Sequence, residues 1–442
     1  MVLIKFLTVF LSLITLSICA NILAVFELPY YSHQSFPRTL MKELALRGHH
    51  LTILSSIPYE YNNSNVTQIH LKEGPKVYGG LVNQLLYKKI SFPALWILNE
   101  LNAHSELTKE NLKSEEVQNL IRNAKKNDFD LLLIECVDVC PMLAFAELYD
   151  CPAIVSTAFA MPFMLLETLG NDVNPVIHPE SIACPLMYGN LSLFERLQSF
   201  FFYIGHHWFA KHFFNLKSYF HIKKYFPNLN VSQKQLEERI AFIFSNTLTN
   251  VRPFLPNTIE TSFMQIEIPK PLPEGDLKTF LDDSEEGIIL MSLGSYTESK
   301  DLDTNVVDVF RNPSTANTLV RKGVAVNLDL FSLNEEKLRN AIFEIVKLKY
   351  KRNIQELRRQ IHDQPMSGLE KAVWYTEFVI RNKGAKFLTY PARDVPFYKQ
   401  HHYDILLIIS FAIYLTFKAL KAIMPMFPKS HSMSPLTAKK SD

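Results

Sequence analysis

Five successive apolar residues, Ile22-Leu23-Ala24-Val25-Phe26, suit a strand covered on both faces and exclude one that lies half-exposed on a sheet surface. A loop from Glu27 to Gln34 follows. Phe36, Leu40, Met41 and Leu44 then recur at helical spacing, and Gly48 supplies the stop. His50–Leu54 reads as a second strand. Strand, helix and strand in this order predict a parallel sheet with right-handed crossovers. Asp130–Cys136, Ala153–Ser156 and Ile240–Ser245 repeat the buried-strand pattern, so an α/β domain is expected over residues 21–250.

Pro253, Pro256, Pro269, Pro271 and Pro273 then crowd the stretch 251–275, a linker composition. Gly287–Ser295 reads as a new strand and turn. Ser332-x-x-Glu335 reads as a capping box ahead of Leu338, Ala341, Ile342, Ile345 and Val346, an amphipathic helix. A last helix runs from about Leu369 to Asn382 and stops near Gly384. At 442 residues and 51.0 kDa the chain is long enough for two α/β domains, the second over residues 276–403.

Both ends carry membrane patterns. Residues 1–20 place Lys5 ahead of an apolar run and end on Ser17, Cys19 and Ala20, as a signal peptide does. Ile405–Phe417 has no charge, and Lys418 and Lys421 can snorkel, so residues 404–427 read as a transmembrane anchor. Lys429, Lys439 and Lys440 bias the tail, 428–442, toward the cytosol. Its Lys439-Lys440-Ser441-Asp442 ending resembles a dilysine retrieval signal of the endoplasmic reticulum. The sequons at Asn62, Asn65, Asn190 and Asn230 would then face the lumen. A net charge of +2 gives no footprint for nucleic acid. The cysteines lack zinc-site spacing, so no metal is expected, and their spacing fixes no disulfide. Between Phe194 and Phe226 lie 13 aromatics with His206, His207, His212 and several Lys. That segment either touches a bilayer or forms a helical cover over an apolar pocket.

His33 lies just past the first strand, at the carboxyl end where open α/β sheets bind ligands. Here the residues resemble a family, the membrane-bound UDP-glycosyltransferases and UDP-glucuronosyltransferases of animals, the insect type above all. The resemblance rests on Leu40–His49 after the Ser32-His33-Gln34 turn, Phe129–Cys140, Leu193–Leu197 and Arg252–Asn257. It is strongest over Pro271–Asp301 and Gly323–Tyr390, with Leu330–Leu338 and His362–Gly384 most specific. It implies two Rossmann-like domains of GT-B type, an N-terminal one for the acceptor and a C-terminal one for the UDP-sugar. It also implies inverting transfer of a hexosyl group, glucose or glucuronic acid, to small lipophilic acceptors in a detoxifying conjugation at the endoplasmic reticulum membrane. The UDP-sugar would be co-substrate with no other cofactor, and homo- or hetero-oligomers with related transferases are in keeping with it.

Under the resemblance His33 is the base, a role suited to a group whose pKa lies near operating pH. Its family partner is an Asp. Glu135 occupies that place here and Asp138 lies three residues on, so either carboxylate can serve. Ser292, Gly294 and Ser295 match the turn beside the donor diphosphate, and Arg252 matches a linker Arg near the donor phosphates. The family's donor signature, with its Trp-x-Pro-Gln, Thr-His-Gly-Gly, Gly-Val-Pro and Asp-Gln elements, is absent between Asp301 and Gly323. The chain is roughly 80 residues short of the family's usual length. With 13 Gly in 442 residues it is also Gly-poor, as loss of a Gly-rich segment would leave it. The second domain is therefore expected to be an incomplete remnant, with apolar faces exposed, and the chain as it stands to be inactive. It is either an incomplete or spliced form of an enzyme, or a dead relative that binds small lipophiles or regulates full-length transferases.

Overall fold

The computed structural model describes residues 19–79, 93–136, 140–158, 163–171, 174–175, 191–205, 209–246, 257–266, 271–285, 288, 319–328 and 334–423. The chain divides into two units, Met1–Tyr390 and Pro391–Asp442.

Among the described residues, the first unit is built on a seven-stranded, wholly parallel sheet of order β3-β2-β1-β4-β5-β6-β7. Its strands are β1 (Asn21–Phe26), β2 (His50–Ser55), β3 (Val66–His70), β4 (Leu131–Glu135), β5 (Ala153–Thr157), β6 (Ile240–Ser245) and β7 (Thr258–Glu260). The central β4 and β5 are buried at every position: Leu131–Ile134 and Ala153–Val155 are the apolar runs expected of strands covered on both faces, and Glu135, Ser156 and Thr157 are buried polar residues at the carboxyl ends. The two edge strands were not legible in the sequence. Val66-Thr-Gln-Ile-His70 is half polar and partly exposed, and β7 is three residues long; edge strands are commonly short and less apolar. The stretch 251–275, expected to be linker, thus carries the sheet's last strand. Its prolines flank β7 rather than interrupt it.

Helix α1 (Tyr31–Leu46) buries Phe36, Leu40, Met41 and Leu44 against the sheet. It ends where Gly48, at φ +93°, turns the chain so that His49 N donates to Leu44 O. Helices α2 (Pro93–Lys113), α3 (Leu193–Gly205) and α4 (Lys211–Tyr225) follow, with α4 packed on α2.

All regular structure among the described residues of 276–403 is helical, and the strand expected at Gly287–Ser295 lies outside them apart from Ile288. Helices α5 (Glu335–Ile345) and α6 (Leu348–His362) bury no residue, and Leu338, Phe343 and Val346 stand exposed. The cap of α5 is Asn334, whose Oδ1 accepts from Lys337 N at 2.9 Å, and not Ser332, which lies outside the described residues. Helix α7 (Gly368–Arg381) starts on a capping box in which Ser367 N donates to Glu370 Oε2 at 2.7 Å. It buries Ala372, Val373, Thr376 and Val379 in the core shared with β1, β4 and β6. Phe242 of β6 meets Tyr375 and Phe378 of α7 edge-on or tilted. The end of the second expected domain is therefore part of the first domain's packing.

In the second unit, α8 (Tyr403–Ile423) has a mean hydropathy of 1.9 over Tyr403–Ala422, with none of that window buried. It is long and apolar enough to cross a bilayer.

Candidate active site

Strand order reverses between β1 and β4, because the chain builds outward through β2 and β3 on one side and through β4 to β7 on the other. At such a reversal the two crossovers leave in opposite directions, and a crevice opens beyond the carboxyl ends of the two strands. The first turn of α1, entered from β1, supplies His33. The last residue of β4 supplies Glu135.

Gln34 holds the α1 side of this crevice in place. Its side chain is buried, with Nε2 donating to Phe26 O and Leu28 O, both at 2.9 Å, and Oε1 accepting from Ser55 Oγ at 2.7 Å. One amide thus ties the ends of β1 and β2 to the start of α1. The neighbouring His33 places Nδ1 2.5 Å from Glu135 Oε1. The imidazole is 14% exposed and the carboxylate 3%, so one partner reaches solvent and the other supports it from below. With Glu135 accepting from Nδ1–H, Nε2 carries the lone pair and can accept a proton. Burial lowers the imidazole's pKa, but the charge and hydrogen bond of Glu135, with the charge of Glu100, outweigh it, and the pKa is raised. The other Glu135 oxygen, Oε2, is buried with no hydrogen-bond partner among the described residues. Between the two carboxylates offered by the sequence, the structure pairs Glu135 with His33; Asp138 lies outside the described residues.

Further polar groups adjoin the pair without having been foreseen. Tyr30 tilts its ring against His33, with centroids 5.4 Å apart. Its hydroxyl lies 3.0 Å from that of Tyr78, and Tyr78 donates in turn to Glu100. Burial raises the pKa of Glu100, while the Tyr78 hydrogen bond and the His33 charge oppose the rise. His104 is pushed down to about 4 by burial, with the His33 charge adding to the effect. Glu27, just past β1, accepts from Thr108 Oγ1 at 3.0 Å and Asn111 Nδ2 at 2.9 Å. Burial raises its pKa to about 7 against those two bonds, helped by the Glu135 charge. Tyr78, Glu100 and His104 sit in segments without motif or strand pattern, so only the fold brings them together. Tyr30 and Glu27 were within reach of sequence reasoning, since both lie in the loop that follows the first strand.

Of the donor-side residues, Arg252, Ser292, Gly294 and Ser295 lie outside the described residues. So does Asn190, whereas Asn62 and Asn230 are exposed and Asn65 is partly exposed. Cys19, Cys136, Cys140 and Cys151 are free thiols, the last three buried.

Comparison with known proteins identifies the family of the chain. A UDP-glycosyltransferase of Dactylopius coccus, UGT4, is 24% identical over 500 aligned positions, covering 93% of this chain and 96% of that one. Since the chain has 442 residues, at least 500 − 442 = 58 of those positions face a gap in it. A human UDP-glucuronosyltransferase, 2B7, is 22% identical over 85% of this chain and 87% of its own. A solved glycotransferase of kitacinnamycin superposes with a TM-score of 0.43 at 11% identity, over 82% of this chain and 98% of that one. The profile of UDP-glucoronosyl and UDP-glucosyl transferases matches residues 23–307 and 310–433, and its interruption falls between Asp301 and Gly323. With nearly the whole of its length matched, the chain belongs to the UDP-glucoronosyl and UDP-glucosyl transferase family.

Proposed function

We propose that the fold is that of a transferase moving a hexosyl group, glucose or glucuronic acid, from a UDP-sugar to the hydroxyl of a small lipophilic acceptor. His33 is its base. The observation that carries this is the 2.5 Å bond between His33 and Glu135 at the reversal of the sheet. In the reaction the acceptor oxygen forms a bond to the anomeric carbon as the bond to the UDP oxygen breaks, and UDP leaves with that electron pair. The acceptor proton passes to His33 Nε2, and Glu135 stabilises the imidazolium. Attack from the face opposite UDP inverts the anomeric centre. Arg252, Ser292, Gly294 and Ser295 would hold the diphosphate, with no metal taking part. The chain would sit in the endoplasmic reticulum membrane as a single-pass type I protein, its body glycosylated in the lumen and its dilysine tail in the cytosol.

This chain as it stands would be inactive, because the segment that recognises uracil, ribose and sugar is skipped. A second reading is favoured by α5 and α6, which bury nothing although apolar side chains line them. A chain built this way can instead bind lipophiles without turning them over, or pair with full-length relatives. Calorimetric titration separates the two, comparing this chain with a version in which the family's donor segment is restored. UDP binding by the restored form supports the transferase. Binding of a phenolic lipophile by both forms, with UDP bound by neither, supports the second reading.

A further inference from the structure

Helix α4 is apolar on two opposite faces. Phe214, Ser218, Ile222 and Tyr225 point inward and are buried. Phe209, just before the helix, and Phe213, Leu216 and Phe220 recur at spacings of four, three and four on the other side, each 54–76% exposed. Helix α3 repeats the arrangement. Ser199 and Tyr203 are buried, while Leu193, Leu197 and Phe201 form an outward stripe with Phe194 beside it. A helix that is apolar all round is normally covered all round, and contiguous exposed stripes mark an interaction surface where scattered exposed residues do not.

The charges on these helices indicate the kind of surface they meet. From Leu193 to Tyr225 the chain carries Arg196, Lys211, Lys217, Lys223 and Lys224 against Glu195 alone. Lys223 and Lys224 place Nζ over the rings of Tyr219 and Tyr225, at 5.9 and 5.2 Å from their centroids. Protein–protein interfaces are depleted in Lys, whereas aromatic rings interleaved with Lys are the composition of helices that lie in a lipid headgroup layer. We propose that α3 and α4 dock on an anionic bilayer surface. Phe201, Phe209, Phe213 and Phe220 enter the headgroup–acyl boundary, and Lys223 and Lys224 meet lipid phosphates. On the transferase reading this sets the acceptor domain against the phase in which lipophilic acceptors concentrate. The docking itself does not depend on that reading.

The test uses the full chain with Leu407→Asp and Phe411→Asp, both at exposed positions, so that α8 cannot span. Flotation is measured with vesicles of phosphatidylcholine containing about one-third phosphatidylserine. The parent is expected to float. Adding Phe201→Ser, Phe209→Ser and Phe220→Ser should lower its partition coefficient at least about tenfold, at an unchanged melting temperature. Lys223→Glu with Lys224→Glu, or vesicles of phosphatidylcholine alone, should each lower it by about tenfold or more. Equal flotation of parent and serine variant overturns the proposal, as does a parent that stays out of the vesicles. A parent that is dimeric without lipid, with a monomeric serine variant, also overturns it and makes the stripes a contact between copies.

Discussion

His33 and Glu135 lie 102 residues apart in the chain and 2.5 Å apart in the fold, joined across the point where strand order reverses. In a version with the donor segment complete, His33→Ala should cut kcat/KM at least about a hundredfold, the contribution expected of a general base. Glu135→Ala should cost less, because it removes only orientation and charge support. Asp138→Ala should leave the rate within about twofold. UDP release measured across the three variants gives the order, and an Asp138 loss as large as that of Glu135 would contradict the pairing.

The same bond sets a pH dependence. On the proposed mechanism transfer needs Nε2 unprotonated, and the His33 pKa is raised because Glu135, with Glu100, outweighs burial. The acid limb of kcat/KM should therefore lie above the ordinary histidine value of about 6.5. Glu135→Gln keeps the size of the side chain and removes its charge, so the limb should move to lower pH. A limb that does not move would take Glu135 out of the account.

Glu27 allows a stability measurement that needs no activity. Its folded pKa is raised from 4.5 to about 7. Between those values the unfolded carboxyl has lost its proton while the folded one keeps it, so stability falls as pH rises through the window. Glu27→Gln should remove that slope. Relative to the parent, the variant should gain up to roughly 3 kcal/mol in urea unfolding between about pH 4 and pH 8. Parallel curves for the two proteins would mean that Glu27 ionises freely.

Helix α7 approaches the end of β7 so closely that a Cβ at Gly368 would lie 2.6 Å from the carbonyl oxygen of Thr261 and closer still to that of Ser262. Gly368→Ala should therefore destabilise the chain by about 1–3 kcal/mol through overpacking against backbone. Limited proteolysis should then cut within 368–381 first, because α7 also loses its seat on Phe242. An unchanged melting temperature would show that α7 is not tightly docked.

The sequence carried the buried strands well, because β1, β4 and β6 are apolar at all but one position and β5 opens on three apolar residues. The β1-helix-β2 order also gave the parallel sheet and the place of His33. It did not show β3 or β7, whose polar and short segments look like loop until the sheet edge takes them up. That Glu135 meets His33 depends on where β4 ends, which periodicity does not resolve; Asp138, three residues on, lies outside the described residues. Tyr78 and Glu100 reach His33 only through tertiary packing. The helix cap at Asn334 instead of Ser332 is a smaller case, since both residue types serve as caps and only the geometry selects one.

The apolar α8 and the Lys-rich tail give a topology prediction. Glycosidase treatment of the expressed protein should lower its mass through Asn62, Asn65, Asn190 or Asn230. Protease added to sealed microsomes should remove only the tail after residue 427. Digestion of the whole body would contradict a lumenal placement.

The central claim is that this chain carries a competent acceptor half whose donor half lacks the segment needed for transfer. Misplacing reacting groups by about 1 Å can cost about a hundredfold, and the motifs that the resemblance assigns to donor recognition are absent from this sequence. The direct test is UDP release with a phenolic acceptor and either UDP-glucose or UDP-glucuronic acid, for this chain and for one with the family's segment inserted after Val307. The account predicts release only from the restored chain, and its loss there on His33→Ala. Equal release from the chain as it stands would contradict it.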